Sequence, residues 1–502
     1  MNTRKHFEYI RNLSRFMRIE MLIFLLLTTS ITEGQMFISN DLYNTYDQYK
    51  IDKLVNKRFN YDEMQQYIDE LMRSSKIRKR IIGRSLENRE INIYSIGNGP
   101  VDVLGWSQMH GDESTATMAL IDLLNFLVAD DNFNDFRTKL FNELTIHFIP
   151  MLNPDGTERF QRRNALDIDI NRDALRLAYP ESKALKAAQD SLKPVFGFNL
   201  HDQDLRYTVG KTYKSATLSF LAPAFNKEKD INEIRGNAMK VIVNMYNELF
   251  KFIPGHIARY DDEFEPRAFG DNFAKWGTGT ILIESGGWKN NFEKQFLRKL
   301  NFIGILIAFQ SIAEKAYEHA DIKLYNLIPE NRKYLFDLLV KNIKRKYNNE
   351  YYLLDLGINH RELSINNGRD DYYVGIVDDI GDLSTFFGYD EVDCSGLIIE
   401  EGKVFPEEFN SIDDLKNYDI VSLYKEGYTS VTVKNLDEEI KYTQLPINIC
   451  MPGSEYKSEI KLGGFADYVI KDNKQIKYVI INGFFYDLTS GKNTIINGNI
   501  IK

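Results

Sequence analysis

In the stretch "SQMHGDESTATMAL" (107–120), His110 precedes Glu113 by three residues, at the point where the apolar run "VDVLGW" gives way to a helical pattern. Two side chains so spaced on a turn can face one ion, and Gly111 between them permits a tight backbone path. Alone, the pair is a common coincidence. Catalytic zinc is usually held by three protein groups, with a further position left to water. A third candidate closes another apolar run: His201 in "FGFNLHDQ". Hydrolysis also needs a carboxylate off the metal that moves a proton from water to the leaving group. Glu284 ends the apolar "GTILIESGG", where a carboxylate either faces a cleft or is buried at considerable cost.

Between these positions lies "NPDGTERFQRRNALDIDINRDA" (153–174), rich in arginine although it follows an apolar strand. Arg162, Arg163 and Arg172 cannot hold a metal, but a guanidinium grips a carboxylate in a two-toothed fork or stabilises an oxyanion. The structural alternative is that they pair with Glu158, Asp167 and Asp169 in a solvated loop. Of the other histidines, His147 sits inside "LTIHFIP", as a hydrogen-bonded core residue would, His6 belongs to the leader, and His256, His319 and His360 read as solvated. Two cysteines, Cys394 and Cys450, rule out a cysteine-rich zinc site, and leave both a disulfide and two buried thiols open.

Scattered groups of this kind act together only if the fold brings them to one edge. Apolar strands at 101–106, 144–152, 195–202 and around "GTILIE" alternate with helical patterns such as "TATMALIDLLNFLVA", "PESKALKAAQDSLK" and "NEIRGNAMKVIVNMYNELFKF". A helix over "YDEMQQYIDELMRSS" and a strand pair across "LENRE" precede them. The pattern predicts an α/β fold: a mixed, mostly parallel central sheet with helices on both faces, whose ligand site lies beyond the carboxyl ends of the strands. Residues 36–325 form this unit. "RKYLFDLLVKNIKRKY" predicts a charged helical connector over 326–350, and 351–502, with short Tyr/Ile/Val-rich segments between Gly, Asn and Asp, predicts a smaller all-β domain.

A hydrophobic content of 43% marks a folded protein, and a net charge of -9 argues against a nucleic-acid partner. At the N-terminus Arg4, Lys5, Arg11, Arg15 and Arg18 precede "MLIFLLL" (21–27), and Thr32 and Gly34 are spaced for cleavage before Gln35. Residues 1–34 therefore predict a secretory signal and export to a periplasmic or extracellular space, unless translation starts at Met36 and the chain stays cytoplasmic. The apolar run is short of the roughly 20 residues that span a bilayer, so no stable membrane span is expected.

Taken in order, "HGDE" (110–113), "NPDG" (153–156), "RRN" (162–164), "INRD" (170–173), "NLH" (199–201) and "LIE" (282–284) resemble the zinc carboxypeptidase family over roughly residues 80–320. The resemblance implies one zinc per chain, with His110, Glu113 and His201 as ligands and Glu284 as general base. It also implies that Asn171 and Arg172 hold the substrate's terminal carboxylate. Arg162, or Arg163 one residue on, matches the arginine that polarises the scissile carbonyl. The chain departs from the family pattern at Asp167, where a glycine is usual. A substrate-capping tyrosine is not identified, although Tyr260 stands at a suitable remove from Glu284, and Asp271, Asn272 and Trp276 are candidate pocket walls. In the tail, "EVDCSGLIIEEGKVFP" and "LGGFADYVIKDNKQIKYVIINGFFYDL" resemble the small β-sandwich of amidohydrolases, without that family's catalytic His-x-His.

The expectation is a zinc-dependent carboxypeptidase acting on peptide or amide substrates with a free carboxylate. The alternatives are a zinc amidase or deacylase on the same fold, acting on acylated amino acids or cell-wall peptides, and a noncatalytic peptide-binding module.

Overall fold

The structure is a computed structural model and describes residues 37–437, 439–491 and 495–502. The basic and apolar leader expected over 1–34 lies outside the described residues.

Strands β1 (Arg78–Arg84) and β2 (Glu90–Ile96) form an antiparallel hairpin across the "LENRE" turn. They are followed by β3 (Val101–Trp106), β4 (Leu144–Ile149), β5 (Phe196–Asp202), β6 (Tyr207–Val209), β7 (Leu218–Leu221), β8 (Ile257–Arg259) and β9 (Gly279–Ser285). All but β6 join one eight-stranded sheet in the order β1-β2-β4-β3-β5-β9-β7-β8. The inner strands β4, β3, β5 and β9 are mutually parallel, while β2 on one side and β7 on the other add antiparallel.

Both faces of the inner strands are covered, which is why they read as continuous apolar runs. On one face the helices Thr115–Val128, Glu233–Leu249 and Gln295–Ala313 pack against Val103, Phe196 and Phe198. On the other, Ala184 and Leu185 of the helix Pro180–Leu192 and Phe269 and Phe273 of the helix Phe269–Lys275 meet Leu104 and Trp106. Gln295–Ala313 is long and apolar enough to cross a membrane by composition, but 83% of its most apolar window is buried within the fold, so it is a core helix. The first-turn glycine of "HGDE" has a steric cause. A Cβ on Gly111 would lie 2.1 Å from the backbone of Gly156, so the "HGDE" and "NPDG" turns pack directly on one another.

The segment 326–350 differs from the sequence expectation. It holds no helix beyond the end of the turn Lys323–Leu327. Instead β10 (Asn331–Lys333) and the long strand β11 (Leu335–Tyr347) occupy it. Leu335, Leu338, Leu339 and Ile343 have helical spacing, but a strand covered on both faces also accepts such a run. β11 is flanked by β12 (Glu350–Ile365) on one side and by β14 (Phe387–Asp393) and β15 (Ile398–Glu401) on the other. The β unit thus begins near Asn331, and β10 ties it to the first unit by pairing with β6. With β13 (Asp370–Gly381) and strands from Tyr468 to Asp487, these strands form a second eight-stranded sheet, beside a five-stranded one. The tail is β-rich rather than all-β, since short helices cover Ile412–Lys416 and Ile420–Glu426. Cys394 and Cys450 are buried free thiols, both pushed up to about 12 by burial.

Candidate metal centre and cleft

Because β3, β5 and β9 are adjacent and parallel, their carboxyl ends share one rim. His201 is the penultimate residue of β5 and stands in register with Glu284 of β9. His110 follows four residues after β3, and Glu113 lies two residues before the helix Thr115–Val128 that leaves the rim. One donor atom from each of His110, Glu113 and His201 lies within 4.8 Å of the others, and all three residues are buried. Glu113 Oε1 is 2.7 Å from His110 Nδ1, and its Oε2 is 2.6 Å from His201 Nδ1.

The chemistry of this set fits a divalent metal. Asp169 Oδ1 lies 3.1 Å from His110 Nε2, which fixes the ring with Nδ1 on the side of Glu113, in the arrangement by which an outer carboxylate orients a histidine ligand. Burial opposes the charged form of Glu113, but His110 and His201 outweigh it and hold the carboxyl well below its ordinary range. Burial likewise opposes a charge on His110, yet Glu113 and Asp169 prevail and raise it to about 9. Burial wins at His201, which is lowered. A carboxylate buried between two imidazoles is the environment in which a bound cation replaces the protons it would otherwise attract.

A cleft of about 590 Å³ opens over this cluster, lined by Arg162, Asn171, Arg172, Tyr260, Asp271 and Glu284 among others. Glu284 is 8% exposed, and burial, then the nearby Glu113, push its carboxyl well above its ordinary range. The adjacent arginines diverge. Arg162 Nη1 lies 3.2 Å from Glu113 Oε1 and its Nη2 3.0 Å from Asp169 Oδ2, whereas Arg163 turns outward and donates to the Asp167 carbonyl. Asp169 also caps the short turn Ile170–Arg172 through the Asn171 N–H, so one carboxylate orients His110, Arg162 and Asn171. Asn171 Oδ1 accepts the Phe269 N–H, and Arg172 approaches Glu265 at 3.5 Å.

Asp169 entered the sequence reading only as a partner of arginines. Its place two residues before Asn171 was the available sign, but its bond to His110 depends on tertiary contact. Asp202 was also missed. Next to His201, it is half-buried, accepts from Thr115 Oγ1 at 2.6 Å and pairs with Lys294 at 3.2 Å. Asp167, where glycine was expected, has φ +61°, the left-handed conformation that glycine adopts freely and aspartate tolerates. Of the candidate pocket walls only Asp271 lines the cleft, and burial raises it to about 7. The Asn272 amide is spent on the carbonyls of Pro266 and Ala268, and Trp276 lines a separate cavity beside Lys186. Among the remaining histidines, His147 is held between Ser95 and Asp102. His256 and His360 are half-buried rather than solvated, the one against Trp288 and the other stacked on Phe484 inside β12.

The zinc carboxypeptidase family model matches residues 64–197, which include His110, Glu113, Arg162, Asn171 and Arg172 and end before His201 and Glu284. The chain is 30% identical over 110 residues to carboxypeptidase 2 of Trichophyton rubrum, covering 22% of this chain and 19% of that protein. It is 27% identical over 205 residues to human carboxypeptidase D, covering 34% of this chain and 15% of that one. It spans less than a third of the length of the curated relatives it matches. A metallo-carboxypeptidase structure from Burkholderia cenocepacia aligns over 52% of this chain and 70% of its own, with a TM-score of 0.42 at 15% identity.

Proposed function

We propose that this chain, which belongs to the zinc carboxypeptidase family through residues 64–197, removes C-terminal residues from peptides. The observation that carries the proposal is a shared cleft. The His110–Glu113–His201 cluster, the carboxyl of Glu284 and the Asn171–Arg172 pair all line it. A metal ligand set, a proton-transfer group and a carboxylate grip are the three things such a reaction needs.

His110, Glu113 and His201 hold the zinc, which when bound supplies Lewis acidity to a water and to the scissile carbonyl. Arg172 and Asn171 fasten the substrate's terminal carboxylate, so that the last peptide bond is the one presented. Arg162 directs its guanidinium at the carbonyl oxygen and stabilises the negative charge that develops there. Glu284, raised by burial and by Glu113, accepts a proton from the attacking water and returns it to the departing amine.

Mass spectrometry of a mixed peptide library, incubated with the wild-type chain and with Glu284→Gln, tests the proposal. Stepwise loss of single C-terminal residues by the wild type alone is expected. Cleavage confined to acylated amino acids or cell-wall peptides would replace it with the amidase reading, and no turnover at all with a peptide-binding module.

A further inference from the structure

The segment that follows His201 does not stand on its own. Gln203 Oε1 accepts from Asn331 Nδ2 at 2.9 Å. The carbonyl of Leu205 accepts from the Tyr389 hydroxyl at 2.7 Å. Arg206 donates to Asp337 Oδ2 at 2.6 Å and to the His360 carbonyl at 2.6 Å. Tyr207 to Val209 pair as a strand with Asn331 to Lys333. Every partner named here belongs to the C-terminal β unit. The Arg206–Asp337 pair is largely shielded, with side chains 19% and 17% exposed, so it is an ion pair of an interior rather than of a surface.

Two further features point the same way. "ESGG" places Gly287 three residues after Glu284, where a Cβ would lie 2.1 Å from the Tyr389 hydroxyl and 2.7 Å from the Leu205 carbonyl. The absence of a side chain there lets the C-terminal unit reach past the Glu284 strand to the His201 segment. On the other side of the cluster, Ser114, next to Glu113, donates to the Lys57 carbonyl at 2.6 Å. Lys57 and Arg58 are in turn ion-paired with Glu362 of β12.

We infer that the C-terminal β unit is a clamp on the metal centre, and that Arg206, held by Asp337 and the His360 carbonyl, is a positioning residue for the ligand His201. The inference rests on the proposed function, in that it takes His201 as a zinc ligand. The first unit holds this segment at Gln203, through Ser285, Ala216 and Ser219, and at Tyr207, through Ala216, whereas the Leu205 carbonyl and the Arg206 side chain bond to the C-terminal unit, so the clamp fixes the middle of the continuation that leaves His201. A ligand whose outer supports are removed typically loses 10- to 100-fold in metal affinity.

The test uses the full chain in three forms. The double variant Arg206→Met with Asp337→Leu removes the pair without leaving a lone buried charge, and Tyr389→Phe removes one hydrogen bond with little change in shape. Arg369→Gln breaks an exposed pair with Glu63 between the same two units, away from the His201 segment, and serves as control. Zinc affinity by chelator competition and amide hydrogen exchange over 203–209 are read together with a thermal melt. The first two variants are expected to melt cooperatively, exchange faster over 203–209 and bind zinc about tenfold or more weakly, while Arg369→Gln matches the wild type. Unchanged zinc affinity in both clamp variants overturns the inference, and if the wild type still trims peptides the proposed function survives. A wild type that binds zinc but cleaves nothing ends the functional proposal, and weakened zinc binding in the clamp variants then leaves the clamp standing.

Discussion

His201 and Glu284 stand opposite one another in the register of the adjacent parallel strands β5 and β9, one residue short of the end of each. Parallel neighbours put side chains of matched position on the same face of the sheet. A histidine that can hold a metal and a carboxylate that can move a proton are thereby set side by side at the strand ends.

Replacing Glu284 with Gln keeps shape and removes the base. Turnover of a C-terminal peptide bond is expected to fall by about 10²–10⁴, the usual contribution of general acid–base catalysis, with one zinc still bound per chain by elemental analysis. Turnover within a few-fold of wild type would show that another group moves the proton.

Asp169→Asn keeps a side chain of the same size but weakens the hold on His110 and Arg162. Zinc binding by chelator competition is expected to weaken about 10- to 100-fold. An unaltered affinity would mean that Asp169 serves only the turn it caps.

The neighbours Arg162 and Arg163 are predicted to separate cleanly. Arg162→Ala is expected to lower kcat by roughly 10²–10³, with a smaller change in KM, because the interaction grows as charge develops. Arg163→Ala, which removes an exposed side chain bonded to a loop carbonyl, should leave both constants near wild type. Steady-state kinetics on one peptide distinguishes them.

At Asp167 the left-handed backbone makes glycine acceptable and β-branched residues costly. Asp167→Gly should change unfolding free energy by under about 1 kcal/mol, while Asp167→Val should destabilise by about 1–2 kcal/mol. Urea denaturation measures both, and equal effects would refute the conformational explanation.

The Asp337 carboxyl gives docking of the C-terminal unit an acid limit. Burial opposes its ionisation, but the bond from His360 and the charge of Arg206 prevail and hold it at about 2, below its ordinary 3.8. A depressed carboxyl contributes stability above its unfolded pKa and loses it as pH falls through the folded one. The contribution, roughly 2 kcal/mol, is full above about pH 4 and fades toward pH 2. Melts of the wild type and Asp337→Asn should therefore converge as pH drops from 5 to 2, and a constant gap would be inconsistent with this account.

The sequence by itself determined the alternation of apolar strands and helices, and hence the covered parallel core. It also determined that His201 and Glu284 close apolar runs and that His110 and Glu113 share the turn after another, because runs of that length and their polar terminators are local properties of the chain. It misjudged 335–347, since Leu335, Leu338, Leu339 and Ile343 suit a helix and a doubly covered strand equally, and only the neighbours β12, β14 and β15 decide between them. Tertiary structure alone turned Arg162 inward and Arg163 outward, joined Asp169 to His110 across 59 residues, and brought the β unit onto the segment after His201. These are contacts between surfaces distant in sequence, and their energy comes from burying paired charges and hydrogen bonds that no local pattern records.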